Sequence, residues 1–164
     1  EIYNHGCELD GLYGYAPQSY DELLRTGHRI HCFATDDNHD RSPLGSPRND
    51  SFGGFTMIQA ESLTYPAIID ALKKGKTYAS MGPQIHGLYL EGNSLIIECS
   101  PVEKIYLITQ GRDGQWIAVH PGETLTRAEF ELKGNEGYVR LQIRDGRGLY
   151  ANTNAYWIEE LLAR

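Results

Sequence analysis

The sequence predicts an α/β part over residues 1–84 followed by an all-β part over residues 85–164. Three observations carry this reading. Helix and strand signals alternate through the first part, whereas the second holds strand and turn signals almost to its last positions. Between them Met81-Gly82-Pro83 breaks regular structure.

Glu1-Ile2-Tyr3-Asn4 reads as part of a strand, and a chain opening inside an element without a methionine is expected to be a fragment of a longer protein. Ser19 and Glu22 form a capping box ahead of Leu23-Leu24, with Gly27 placed to stop the helix. Residues 29–34 follow as a strand, then a long polar loop from Asp36 to Gly54, then a strand over 55–60. Loops of that length without structure of their own are disordered or functional. A second helix begins after Thr64 and ends at Gly75, with Ile68, Ile69 and Leu72 on one face and Lys73-Lys74 in the last turn, where cations suit the macrodipole. The alternation suits a parallel α/β sheet or barrel.

In the second part the strand candidates are 87–91, 94–99, 104–109, 116–119, 128–132, 138–144 and 154–158. Residues 138–144 alternate apolar and polar with period two, the pattern of a strand with one dry and one wet face. Turn pairs recur at Gly92-Asn93, Asp113-Gly114, Gly134-Asn135 and Asp145-Gly146. So many short strands in so few residues predict an immunoglobulin-like β-sandwich.

Of the 164 residues 40% are apolar, and 15 basic against 22 acidic side chains give a net charge of −7. No apolar run approaches the roughly 20 residues that cross a bilayer. No basic face is available for phosphate backbones, so neither nucleic acid nor membrane is an expected partner. Cys7, Cys32 and Cys99 are odd in number and lack metal-type pair spacing, so a reducing, cytoplasmic location is expected.

The densest group of ligand-type residues is Asp36-Asp37-Asn38-His39-Asp40, directly after a strand candidate. Parallel sheets gather chemistry at the carboxyl ends of their strands, and a carboxylate and an imidazole one residue apart suit zinc, manganese or iron. The plainer alternative is that the aspartates cap turns and His39 is a solvated loop residue. His31 reads as a packed strand residue, His28 as a helix-end residue, and His86 and His120 lie where nothing supports catalysis. Arg41 and Arg48 are candidates to bind phosphate, or are solvated loop arginines. Ser46, Ser51 and Ser80 lack a G-x-S-x-G setting, and Cys32 sits inside an apolar pattern.

Four stretches then add a resemblance: Glu1 to Glu8, Asp21-Glu22-Leu23-Leu24 with Gly27, Ala34-Thr35-Asp36-Asp37-Asn38-His39, and Ile69 to Pro83 with its Lys-Gly-Lys-Thr-Tyr-Ala-Ser-Met-Gly-Pro string. Together they resemble the C-terminal portion of a PHP (polymerase and histidinol phosphatase) domain, nearest the CehA/McbA-type metallohydrolases. The resemblance implies the C-terminal part of a distorted (β/α)7 barrel followed by a small β domain, divalent metals at the strand ends, and hydrolysis of a small phosphoester-type substrate. It assigns Asp37 and His39 as the late metal-ligand pair. His5, Asp36, Arg41 and Arg48 remain candidates for supporting or substrate-binding roles, and no individual catalytic residue is assigned.

The family's early His-x-His pair is absent from these residues. Two side chains hold an ion weakly, so the complete protein is expected to be the metal-dependent phosphoesterase and this chain alone to be inactive. Edges left by a truncated barrel would favour dimerisation. The alternative is a non-catalytic β-sandwich that serves binding or structure.

Overall fold

The computed structural model describes residues 1–163, which divide into two compact units, Glu1–Met81 and Gly82 onward. In unit 1, β1 (Tyr3–Asn4) runs parallel to β2 (Ala34–Thr35), with Tyr3 opposite Ala34. Two short helices follow β1: α1 (His5–Leu9), capped by the Asn4 side chain accepting from the Cys7 amide at 2.8 Å, and α2 (Pro17–Arg25). Further on, β3 (Phe55–Ile58) leads through α3 (Tyr65–Lys73) into β4 (Thr77–Ser80), and β3 and β4 pair antiparallel from Phe55↔Ser80 to Ile58↔Thr77. Ile2, Tyr3, Tyr20, Leu24, Cys32, Ala34, Ala71 and Ala79 are its buried apolar residues.

This corrects the expected (β/α)7 barrel. A barrel needs successive parallel strands, each paired on both sides. Among the described residues of unit 1 the one parallel ladder is two residues long, and the β3–β4 ladder is antiparallel. Alternating strand and helix signals are local and carry no information on strand direction, which non-local pairing sets. The expected strand over 29–34 is observed only as Ala34–Thr35; ahead of it the Ile30 carbonyl accepts from the Tyr20 hydroxyl at 3.0 Å. His31 is exposed, not packed in a strand.

The helix ends show which local signals win. Helix α2 starts at Pro17 rather than at the Ser19 box, so Ser19 lies within the first turn. Proline at the first helical position loses no hydrogen bond and presets φ. Helix α3 begins after Thr64 and ends through Gly75, whose φ is +65° and whose successor Lys76 donates to the Ala71 carbonyl at 3.0 Å. A Cβ there would also lie 2.4 Å from His31 Nε2, so glycine is required twice over.

Unit 2 is built from two antiparallel sheets. One orders β5 (Ile85–Glu91), β6 (Ser94–Val102) and β9 (Leu125–Glu131). The other orders β11 (Tyr150–Thr153), β10 (Tyr138–Arg144), β7 (Lys104–Thr109) and β8 (Gln115–Ala118). Of the predicted strand 154–158 only the short β12 (Tyr156–Trp157) forms; it also pairs with β10 and is followed by α4 (Ile158–Leu161).

The first, second and fifth strands thus share one sheet and the third, fourth, sixth and seventh the other. Two antiparallel sheets that divide the strands in this way suit the predicted β-sandwich, although immunoglobulin constant-type domains keep their fourth strand in the sheet of the first. Leu95, Ile97, Ala128 and Phe130 of one sheet, and Ile105, Leu107, Leu141 and Ile143 of the other, are almost fully buried. Among the described residues no helix is long and apolar enough to cross a membrane.

Candidate functional site

The loop from Asp36 to Gly54 is laced by its own polar side chains. Asp36 Oδ1 accepts from the Gly53 and Gly54 amides at 2.8 and 2.7 Å, and Oδ2 accepts from the Phe52 amide at 2.5 Å. One carboxylate thereby ties the start of the loop to its end. A second tie runs from Asn38 Nδ2 to Ser51 Oγ, and a third from the His39 amide to Asp50 Oδ2 at 2.8 Å. Asn49 adds a bond from Nδ2 to the Ser42 carbonyl at 2.9 Å. Long polar loops expose backbone groups that need partners, and here Asp, Asn and Ser supply them. The composition that reads as a flexible loop is the one that orders it.

The lacing holds Asp37, Asp40 and Phe52 with φ of +51°, +54° and +65°. Aspartate tolerates the left-handed region because its short polar chain bonds locally; phenylalanine does not. Asp37 and Asp40 bracket Asn38-His39 and turn the His39 ring back on its own chain. His39 Nδ1 lies 2.5 Å from the Asp37 carbonyl. A carbonyl only accepts, so in this contact Nδ1–H is the donor. The other ring nitrogen, Nε2, lies 3.9 Å from Asp37 Oδ1.

Both side chains border a cleft of about 730 Å³, whose lining also includes Cys7, Asp10, Arg41, Arg48 and Asp50. Arg41 is committed to Asp10, with Nη1 at 2.7 Å from its carboxylate, whereas Arg48 is an exposed residue of the cleft lining. Two of the remaining candidates do different work. Asp36 is occupied by three amides, which makes it the anchor of the loop. His5 is not among the cleft-lining residues: its Nδ1 lies 3.0 Å from the Tyr3 hydroxyl, and its ring covers Gly53 so closely that a Cβ there would fall 2.2 Å from ring atoms. Burial, aided by Glu8 and Asp36, pushes the Tyr3 phenol up, so it stays protonated beside that imidazole.

Asp50 was not a candidate in the sequence, because no local pattern ties it to His39 across the intervening loop. It is only 5% exposed, and the His39 amide beside it holds its carboxyl below the usual carboxylate range. Cys7 lines the cleft, while Cys99 lies inside β6, where burial pushes its thiol up to about 11.

Do these residues fit a divalent ion? A carboxylate oxygen and an imidazole nitrogen bind zinc at about 2.0–2.2 Å each, so two such donors on one ion lie at most about 4.2 Å apart. The 3.9 Å between Asp37 Oδ1 and His39 Nε2 falls inside that limit, which only collinear donors reach, and exceeds the roughly 3.4 Å of a tetrahedral pair. The hydrogen bond at Nδ1 is the outer contact that metal-binding histidines carry. The pair fits as donor chemistry, although no group of three or more His, Cys, Asp or Glu suited to a metal occurs among the described residues.

Comparison of the chain with known family models, curated proteins and solved structures returns no match.

Proposed function

We propose that unit 1 carries the Asp37–His39 part of a divalent-metal site in a PHP-type hydrolase acting on small phosphoesters. The observation that carries this reading is the geometry of His39. Its Nδ1–H is bound to the Asp37 carbonyl, and Nε2 lies 3.9 Å from Oδ1 of the cleft-lining Asp37. A solvated loop histidine needs neither feature.

When bound, the metal supplies Lewis-acid chemistry and activates water. Asp37 brings negative charge that balances the ion, and the Asp37 carbonyl holds the His39 ring in the ligating tautomer. Arg48 offers a fork of donors matched to phosphate oxygens, while Arg41 is partly neutralised by Asp10. Asp36 keeps the loop closed under the pair through its three amide bonds. The resemblance implies further ligands beyond Asp37 and His39.

The test is made on the complete protein, by metal content per chain and manganese- or zinc-dependent hydrolysis of a chromogenic phosphodiester. Asp37→Asn and His39→Ala are each expected to lower bound metal and rate by tenfold or more while the circular dichroism spectrum stays that of wild type. Wild-type metal content and rate in both variants would remove the assignment.

A further inference from the structure

The sheet of β5, β6 and β9 has a dry face and a wet face, and both run out to an open edge. Its register assigns the residues. On the dry face Leu88 pairs with Ile97 and Ile97 with Ala128, while Leu90 pairs with Leu95 and Leu95 with Phe130. The β6 and β9 members of these rows are almost fully buried, whereas Leu88 and Leu90 are only half-buried. The wet face carries Glu91, Glu98, Glu129 and Glu131 against Arg127, all exposed.

Among the described residues β5 pairs with β6 alone. Beside its free edge lies a groove of about 660 Å³, bordered by Leu88, Leu90 and Leu95 of the sheet and by Tyr156, Leu161 and Leu162 from β12 and α4. A free edge offers backbone donors and acceptors that another extended chain satisfies, and the side chains of that chain alternate between the two faces. Those on the dry side meet leucine, and those on the wet side meet carboxylates. A second copy of β5 would lay an equally acidic face alongside, where like charges oppose pairing. A basic strand gains where the copy loses.

We propose that the β5 edge from Gly87 to Glu91 is a docking site for an extended peptide in which apolar residues alternate with basic ones. The peptide adds a strand to the three-stranded sheet. Leu88 and Leu90 receive its apolar side chains, and Glu91, in one row with Ser94 and Glu131, receives a basic one. The register shift between Ile85 and Gly87 bounds the straight edge on the other side. This site stands apart from the metal-site reading and does not depend on it.

The 164-residue chain, labelled with nitrogen-15, is titrated with a capped hexapeptide of alternating valine and lysine, and the amide signals of Gly87–Glu91 are followed by NMR. Three companion peptides separate the contributions: one with the same residues in two blocks, one with glutamate for lysine, and one methylated on its backbone nitrogens. The expected result is a saturable shift confined to β5 and the groove, with slower hydrogen exchange at the β5 amides that point away from β6. Each companion is expected to bind weaker by about tenfold or more. Glu91→Lys is expected to weaken the alternating peptide by about tenfold, since an exposed attraction is lost and a repulsion of similar size gained. Equal binding of the block peptide reduces the site to non-specific charge, and equal binding of the glutamate peptide removes the charge preference. Equal binding of the methylated peptide removes strand addition. Each of these overturns the proposal, as does the lack of any saturable shift. Shifts of the β5 amides that grow with protein concentration in the absence of peptide would make a second copy the occupant and overturn it too.

Discussion

At Phe52 and Gly53, adjacent residues carry opposite stability expectations. Phe52 is 80% exposed and held at φ +65° by its amide bond to Asp36. Its ring gains little burial, while its Cβ suffers the left-handed penalty of about 1–2 kcal/mol. Phe52→Gly relieves that strain at some cost in chain entropy, so it is expected to raise stability by up to about 1 kcal/mol, read as a later denaturation midpoint at unchanged slope. At Gly53 the reverse holds. An alanine methyl would occupy the space of the His5 ring, which would have to leave its contact with the Tyr3 hydroxyl. Gly53→Ala is expected to destabilise by about 1–3 kcal/mol, the usual cost of overpacking. In a double-mutant cycle most of that loss should vanish when His5 is already alanine. Additive effects of the two substitutions would show that His5 does not set the constraint.

Among the elements, β10 is the one that both neighbours depend on. Its Tyr138, Val139, Arg140 and Leu141 are all buried, with β7 on one side and β11 and β12 on the other. Leu141→Ala leaves a cavity that rigid flanking strands cannot close and is expected to cost about 2–5 kcal/mol. Ile117→Ala on the half-exposed β8 should stay within about 1 kcal/mol, and equal losses at the two positions would contradict the assignment of β10 as the central strand. The turn from β10 to β11 depends on one carboxylate. Asp145 Oδ1 accepts from the Arg147 and Leu149 amides at 2.9 and 3.0 Å, and Oδ2 accepts from the Arg147 guanidinium at 2.8 and 3.0 Å. Burial raises the pKa of this carboxyl, but the bonds from Arg147 and the Leu149 amide outweigh it and hold the carboxyl below the usual range. The folded state therefore binds the proton less readily than the unfolded chain. The stabilisation is fully present above the unfolded value of about 3.9 and is lost as pH falls through the lower folded value. Asp145→Asn should cost about 1–3 kcal/mol between pH 5 and 7. That gap should narrow below pH 4, and a gap unchanged at pH 2.5 would count against the carboxylate as its source.

For the whole chain, the division into two units bears on stability and on chemistry. Unit 2 contains its own buried set from both sheets, so residues 82–164 expressed alone are expected to give a β-type circular dichroism spectrum and a cooperative thermal transition. A random-coil spectrum would show that the unit needs unit 1 to fold. For the function proposed here, the 164 residues by themselves are expected to show no metal-dependent phosphodiester turnover. Catalytic zinc sites hold their ion with three protein ligands, and Asp37 with His39 supplies two. Manganese-dependent turnover that disappears in Asp37→Asn would show a working site within this chain.

Much of unit 2 was legible in the sequence because antiparallel strands joined by short turns are specified locally. The runs at 138–144 and 104–109 coincide with β10 and β7, although the wet face expected of 138–144 is absent, since Tyr138 and Arg140 are buried and Gln142 and Arg144 are only partly exposed; Gly92-Asn93 and Asp145-Gly146 fall between paired strands. Helix α3 was equally readable, since Thr64 and Gly75 mark its ends in the chain itself. In unit 1 the sequence determined that Asp37 and His39 lie just beyond a strand and near each other, a fact of two-residue spacing. Tertiary structure alone decided the direction of β3 against β4, the place of Asp36 as loop anchor where a supporting or substrate-binding role was expected, and the meeting of Asp50 with His39. Each of these depends on partners far apart in the chain, and the pairing energy of such partners leaves no periodicity for a local pattern to reveal.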